Sequence, residues 1–385
     1  MKTMKTKHII FTAAISALAV VSCKKEDPKA DFQPITQYQN SIPEFYNPVK
    51  SGDTYGANTP DYTIIANVMD QVRLPNDLDF NTTAGKENEL WIVNEGTVNS
   101  GSTNIIIQNA GQDNQMELYR KDGNSWHFMS LSTALAFSEE NGNFGTSPGV
   151  YDANHNGGAP FTGPSLWSSD LSIFAQYAGA GTNGSHLDML HESPYCMGIA
   201  SEVDNAFWVF DGDANNIVKY DFKDDHGAGM HDHSDAVIAR YTEASVTRKS
   251  GVPSHMILDK KTGWLYICDT GGKRIMRLRI SAGNIKRNLT MTESVSSYVE
   301  MENAEWEVFA TSNLVDPCGI EISENRLFVS DNATNEIIAY DLGSKEELGR
   351  LQTTATNIRG IKVGPNGKLW YVDYSGNKVV RIDPK

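Results

Sequence analysis

The sequence predicts an all-β protein that forms a six-bladed β-propeller with four strands in each blade. Three observations predict this fold: a strand motif recurs six times, turn-forming residues separate the copies, and a strand near the N-terminus has no blade of its own. The 385 residues include 32 Gly and 14 Pro, too many turn residues for a bundle of long helices. With 39% hydrophobic residues, the chain is also too apolar to be disordered.

The recurring motif is a short, mostly apolar strand that ends on a polar residue. The end residues of the six copies are Asn94, Asp152 (in a degenerate copy at 149–152), Asp211, Asp269, Asp331 and Asp373. Consecutive copies lie 42 to 62 residues apart. Units of about this length with four strands each are typical of propeller blades.

Alternating strands flank most copies on both sides, and Gly, Asn and Asp separate them, as expected for half-buried strands joined by tight turns. The sixth unit shows only three strands, whereas residues 62–68 form a strand without a blade. We therefore predict that this N-terminal strand joins the last blade and closes the ring. Closure removes an exposed sheet edge that would promote aggregation.

The N-terminal segment carries the pattern of an export signal. Three lysines precede an apolar run at 9–21 that is too short to span a bilayer. The residues at its end, Val20-Val21-Ser22-Cys23, resemble the bacterial lipobox, in which the cysteine is acylated. A plain secretory signal with a chance cysteine is the alternative to lipidation at this residue. The predicted domains are a lipoprotein signal peptide at 1–22, the lipidated Cys23 with a flexible tether at 23–60, and the propeller at 61–385.

Two resemblances follow from these motifs. The pattern Pro-x-Gly-Ile, a turn, Leu-x-Val-x-Asp and then Asn-x-Ile resembles the NHL repeat, most clearly in the last four units. The signal with its charged residues after Cys23 resembles surface-exported lipoproteins of Bacteroidetes. These resemblances imply an anchor in the outer membrane through acyl chains on Cys23, with the cell surface favoured over the periplasmic face. Six-bladed relatives include lyases, lactonases and non-enzymatic scaffolds, so the fold does not choose an activity.

Charge excludes one class of partner. The chain has 33 Lys and Arg against 48 Asp and Glu, a net charge of −15, and a pI near 5.0. Binding to nucleic acid needs a basic patch, so we expect no nucleic-acid partner. We expect a propeller domain that is monomeric.

Histidines provide the first candidate site. We predict that His155, His186, His191 and His255 lie on the top face, where the innermost strand of each blade begins. Three or four converging imidazoles suit Zn²⁺ or another divalent metal with an open position for water or substrate. The alternative is that these histidines are hydrogen-bonded loop or channel residues.

A second candidate lies in the segment 224–235, which we place between the third and fourth strands of blade three, on the bottom face. Its possible ligands of a structural metal are His226, His231, Asp232 and His233. The favoured interpretation is a solvated polar hairpin, and its spacing does not match an EF-hand loop.

No sequence motif identifies catalytic residues. Asp77 and Asp211 are candidates for a base, yet the recurrence of Asp at the ends of second strands favours a structural role in holding loop amides. We therefore expect a propeller that binds a ligand or partner protein through its top face. The alternative is a metal-dependent lyase or hydrolase, in which the metal polarises substrate or activates water.

Overall fold

The computed structural model describes residues 60–176, 183–230, 232–365 and 367–383. Within these ranges the chain forms 26 strands, one α-helical turn, α1 (Ser125–Phe128), and one short 3-10 helix. The predicted signal peptide, Cys23 and most of the tether lie outside them. No helix among the described residues is long and apolar enough to span a membrane.

The strands form six sheets, which confirms the all-β, six-bladed propeller. From innermost to outermost, the strands of blade one are β2 (Pro75–Phe80), β3 (Leu90–Thr97), β4 (Gly101–Gln108) and β5 (Met116–Arg120). Those of blade two are β6 (Ser132–Phe137), β7 (Asn143–Pro148), β8 (Ser165–Ser168) and β9 (His186–Met189). Those of blade three are β10 (Cys196–Ser201), β11 (Ala206–Asp211), β12 (Asn216–Asp221) and β13 (Val237–Tyr241).

The last three blades follow the same order. The strands of blade four are β14 (Met256–Asp259), β15 (Trp264–Asp269), β16 (Arg274–Arg279) and β19 (Trp306–Ala310). Those of blade five are β20 (Pro317–Ser323), β21 (Arg326–Asp331), β22 (Glu336–Asp341) and β23 (Glu347–Gln352). Those of blade six are β24 (Ile358–Val363), β25 (Leu369–Asp373), β26 (Lys378–Asp383) and β1 (Asp61–Ala66).

The N-terminal strand completes blade six, as predicted. β1 pairs antiparallel with β26, with Tyr62 opposite Ile382 and Ile64 opposite Val380. Ile65 and Ala66 are buried against β26 and the first blade. The first strand of the domain therefore joins its last sheet and closes the ring.

A hairpin in the insert of blade four extends blade three. It consists of β17 (Asn284–Asn288) and β18 (Ser297–Glu302), and β18 pairs in parallel with β13, the outermost strand of blade three. The sheet of blade three therefore has six strands.

Blade two corrects the predicted position of one strand. The degenerate motif at 149–152 follows the second strand of the blade, β7, instead of forming it. Every residue of β7 is buried, and a side chain at Gly145 would crowd Ile199 and Phe207 of the next blade. The strand therefore carries small and polar residues, which hide the apolar motif.

The blades pack face to face through large apolar side chains. Trp91, Trp167 and Trp208 are fully buried, and Trp91 packs against Phe137 and Phe144 across the junction of the first two blades. Cys196, Cys268 and Cys318 are buried free thiols. The core lies between neighbouring blades, and the innermost strands surround the central axis.

Candidate functional site

The six innermost strands place equivalent residues in rings around a central channel. The pairing of each innermost strand with its second strand establishes the equivalence. The upper ring contains Asp77, Ala134, Gly198, His255, Gly319 and Gly360. Two residues further along each strand, the lower ring contains Asp79, Ala136, Ala200, Ile257, Glu321 and Lys362. We call the face where these strands begin the top and the face where they end the bottom.

His255 crosses the channel at the upper ring. Its Nε2 lies 3.0 Å from the carbonyl oxygen of Thr133 in blade two, and its Nδ1 lies 3.5 Å from Asp77 Oδ1 in blade one. Because a carbonyl only accepts, Nε2 carries the hydrogen. Burial lowers the pKa of His255 to about 4 and raises the pKa of Asp77 well above its ordinary value. His255 is therefore neutral at pH 7, and burial favours the protonated form of Asp77.

Close packing of the innermost strands narrows the channel at the same level. A Cβ atom at Gly360 would overlap Asp77 Oδ1, so only glycine fits there. Nearer the top, the buried Arg359 hydrogen-bonds Asn76 in blade one and the carbonyl of Gly251, at 2.7 Å, before blade four. Its guanidinium carbon lies 3.3 Å from the ring centre of Tyr374. His255 and Arg359 together close the channel on the top side.

Below His255 the channel contains a cavity of about 170 Å³. All six residues of the lower ring line it, and Thr82, Glu139 and Lys260 line it where the innermost strands end. Lys260 Nζ lies 3.2 Å from Glu139 Oε2, and Glu139 is well exposed. The cavity is therefore a pocket that is closed towards the top and reached from the bottom.

Three ionisable side chains lie side by side in the lower ring, Glu321 buried and Asp79 and Lys362 partly buried. Lys362 Nζ lies 3.3 Å from Asp79 Oδ1 in blade one and 3.1 Å from Glu321 Oε2 in blade five. Burial alone would lower the pKa of Lys362, but the two carboxylates outweigh it and the pKa is raised. Burial raises the pKa of Glu321 to about 7, against the opposing effect of Lys362. We call Asp79, Lys362 and Glu321 the channel triad.

The other half of the lower ring is apolar. Blades two, three and four contribute Ala136, Ala200 and Ile257, opposite the channel triad of blades five, six and one. The pocket therefore has one charged wall and one apolar wall. Such a surface can hold a ligand that has polar groups on one side only.

The sequence missed the channel triad. The signal was present, since a charged residue interrupts the apolar run in Ile320-Glu321-Ile322 and in Ile361-Lys362-Val363. An alternating strand with one solvated face would show the same pattern. Only the ring geometry shows that these side chains meet.

The four histidines of the first candidate site do not come together. His255 lies in the channel, as predicted, whereas the other three lie near α1 and the outer part of blade two. His155 Nε2 lies 2.7 Å from the carbonyl oxygen of Trp126, and the buried His186 ring stacks on Phe128 with centroids 3.6 Å apart. The alternative interpretation as hydrogen-bonded loop or channel residues fits these contacts.

His186 lies in a strand, whereas His191 lies in the connection between β9 and β10 that leads into blade three. His186 is the first residue of β9, an outer strand, and not part of a loop. The buried His191 stacks on Phe161, with ring centroids 3.8 Å apart, and its Nδ1 contacts Glu293 of the β17–β18 hairpin. Glu293 also lies 3.7 Å from His233 Nε2. The hairpin thus connects residues that the sequence assigned to two separate sites.

The second candidate site occupies the loop between β12 and β13, as predicted. His226 Nε2 lies 3.0 Å from Asp235 Oδ1, which raises the pKa of His226. His233 Nδ1 lies 2.5 Å from Asp188 Oδ1. Burial lowers the pKa of His233, but Asp188 raises it further, so the net shift is upward. Asp232 accepts hydrogen bonds from Ser234 instead.

The metal prediction for these clusters stays a prediction. His231 lies outside the described residues. Across the part of the chain that the structure describes, no group of three or more His, Cys, Asp or Glu side chains is placed to hold a metal ion.

The two candidate bases occupy different surroundings. Asp77 lies at the inner end of the pocket beside His255. Asp211 lies inside blade three, where it pairs with Arg240 at 2.6 Å and accepts the amides of Asp213 and Ala214, both at 2.9 Å. These contacts are those of a structural residue that holds the loop after its strand.

The fold and the pocket define a six-bladed β-propeller with a closed-ended polar channel. No protein-family model and no curated protein matches the chain. Among solved structures it is similar to an auxiliary nutrient binding protein from Bacteroides ovatus, with TM-score 0.52, 12% identity, and coverage of 80% of this chain and 69% of that chain. The values for an auxiliary nutrient binding protein from Bacteroides thetaiotaomicron are 0.53, 11%, 80% and 69%.

A luciferin-regenerating enzyme is also similar, with TM-score 0.50, 12% identity, and coverage of 84% of this chain and 95% of that chain. At such identities the similarity shows the fold alone. Because binding proteins and an enzyme share the fold, the function has to be inferred from the site.

Proposed function

We propose that this protein binds a small molecule in the channel pocket. The observation that carries the proposal is the channel triad. At equivalent ring positions three blades have Ala136, Ala200 and Ile257, so the fold is satisfied there by apolar side chains. Replacing buried ion pairs by apolar residues is often neutral or stabilising. Charges that the fold does not require, placed in a cavity, are best explained by a ligand.

The proposed binding face is the bottom. Binding through the top face was the sequence-based expectation, but His255 and Arg359 close the channel on that side. The pocket mouth lies at the ends of the innermost strands, beside Glu139 and Lys260. The two similar Bacteroides structures are those of auxiliary nutrient binding proteins, which supports a binding role without identifying the ligand.

A test of ligand binding is a thermal-unfolding screen of the mature chain against small polar molecules. A ligand that binds the folded state raises the midpoint of unfolding. We expect at least one compound to raise it in the wild type but not in Ala200→Trp, in which the indole fills the apolar side of the pocket. Ala200→Ser is the matched control. Shifts that are equal in the wild type and Ala200→Trp would contradict binding in the pocket.

We also propose that the protein is anchored in the outer membrane through acyl chains on Cys23, facing the cell surface. The lipobox-like end of the signal supports this location. Membrane fractionation of the wild type and Cys23→Ser tests the anchor, with release of the variant into the soluble fraction as the expected result. Protease treatment of intact cells then distinguishes the cell surface from the periplasmic face.

A further inference from the structure

The charge balance of the pocket restricts its ligand, provided that the proposed binding function holds. The ammonium group of Lys362 already faces two carboxylates, Asp79 and Glu321, and the neighbouring His255 is neutral. An anion would meet two carboxylates and one ammonium group that is already paired. A cation would have to lie beside Lys362. A neutral ligand avoids both repulsions.

The hydrogen-bonding capacity of the triad indicates hydroxyl groups. Lys362 has three donors and lies within ion-pair distance of two carboxylate oxygens, which leaves at least one donor for a ligand. Asp79 accepts the amide of Phe80 on Oδ1 at 2.9 Å and the amide of Phe137 on Oδ2 at 3.0 Å. Because Oδ1 also faces Lys362, Oδ2 is the oxygen that can accept again. A hydroxyl group both donates and accepts, so two adjacent hydroxyls can accept from the ammonium group and donate to the carboxylates.

The opposite wall and the size of the pocket complete the description. Ala136, Ala200 and Ile257 offer an apolar surface to C–H groups. A volume of about 170 Å³ is close to that of an apolar cavity of about 150 Å³ that binds benzene. One six-membered ring therefore fits.

From these observations we infer that the pocket binds a neutral polyol of one ring, with adjacent hydroxyls on Asp79, Lys362 and Glu321 and its C–H face on the apolar wall. Because the pocket is closed towards the top, it accepts a single unit. A longer molecule enters only by its end.

Binding of this kind displaces a proton. A hydroxyl that donates to Glu321 favours the charged carboxylate, and the pKa of Glu321 is about 7 in the free protein. The ionisable groups that line the pocket with Glu321 are Lys362 on β24, Asp77 and Asp79 on β2, the neutral His255 on β14, and Glu139 and Lys260 at the mouth. Near pH 7 the ligand therefore releases part of a proton, which calorimetry detects as a dependence of the binding heat on the ionisation enthalpy of the buffer.

The experiment is isothermal titration calorimetry of the mature chain at pH 7 in two buffers. The probes are myo-inositol and glucose as neutral polyols, gluconate as an anion and choline as a cation. We expect binding of at least one polyol with proton release, and none of gluconate or choline. Glu321→Gln should lose the proton release and weaken binding at least tenfold, because a charged hydrogen bond is lost. Glu305→Gln, an exposed site in the blade-four insert, should bind like the wild type.

The other outcomes separate this inference from the proposed function. Binding of choline or gluconate that Ala200→Trp abolishes would overturn the polyol but keep the pocket. Binding of a polyol with unchanged affinity in Glu321→Gln would overturn the assigned contact. If none of the four probes binds, the polyol inference fails, and the thermal-unfolding screen decides whether the pocket binds anything else.

Discussion

The alternating strand that contains Lys362 suggests a solvated side chain, but the ammonium group lies in the channel between Asp79 and Glu321. The sequence predicted the recurring strands of the last units and a position for His255 on the top face. The destinations of these side chains were not predicted. His255 reaches Thr133, which is 122 residues away in the chain, and Lys362 reaches Asp79. A side chain that crosses a channel depends on neighbours that only the closed ring supplies.

Replacing Lys362 by Met should destabilise the protein. Asp79 and Glu321 would remain in the channel with no cation between them. We expect a loss of about 3 kcal/mol at pH 8, the low end for breaking a buried pair, because the side chains of Lys362 and Asp79 are 23% and 14% exposed. Urea unfolding measures the loss. The triple variant Asp79→Asn, Glu321→Gln, Lys362→Met should recover most of it. A triple variant as unstable as the single one would contradict the argument.

Glu321 should produce a measurable dependence of stability on pH. Its pKa is about 7 when folded and about 4.3 when unfolded, so between these values the folded state binds more protons. Stability therefore falls as pH rises from 4 to 8, by about 3 kcal/mol relative to Glu321→Gln.

The comparison with Glu321→Gln is necessary because His255 acts in the opposite direction. The folded-state pKa of His255 is lowered to about 4, so its contribution is lost as pH falls from about 6.5. This contribution is present in both proteins and cancels in the difference. Parallel stability curves for wild type and variant would show that Glu321 titrates normally.

The strands whose apolar and polar residues alternate strongly were predicted correctly, and those in which close packing replaces this alternation were missed. The second strands of blades three to six were located correctly. In blade two, β7 contains Gly145 because the next blade approaches too closely for a side chain. All residues of β17 are exposed, so its sequence has no apolar period, and its partner β18 pairs with a different blade. Neither feature leaves a local signal.

Glu293 should hold the β17–β18 hairpin against blades two and three through its contacts with His191 and His233. In Glu293→Ala we expect the amides of 284–302 to exchange hydrogen at least tenfold faster, because local opening becomes easier by about 1.4 kcal/mol, the loss of one charged hydrogen bond. Hydrogen-exchange mass spectrometry resolves this segment. Glu305→Ala, in the same insert, is the control. Equal exchange in both variants would exclude a role for Glu293 as an anchor.

Ring closure was predicted correctly because the sequence has an unpaired strand near the N-terminus and a last blade with only three strands, and pairing the two completes the blade. A mature chain that begins at Asn67 lacks β1 and leaves β26 as an open edge. We expect it to lose at least about 3 kcal/mol of stability, the cost of removing one large buried side chain such as Ile65, and to self-associate.

Calorimetry and size-exclusion chromatography compare this chain with one that begins at Pro60. The longer chain retains β1 and should behave as the mature protein does. Equal unfolding midpoints for the two chains would mean that β1 does not contribute to closure.

The direction of β1 has a consequence for how the domain is presented. Strand β24 runs from top to bottom, and the antiparallel order of blade six makes β1 run from bottom to top. The chain therefore enters the domain at Pro60 on the same side as the pocket mouth. If Cys23 is acylated, the segment 24–59 joins the domain on the face that contains the opening, so a short segment would hold that opening close to the membrane. Shortening that segment would then restrict access without altering the pocket.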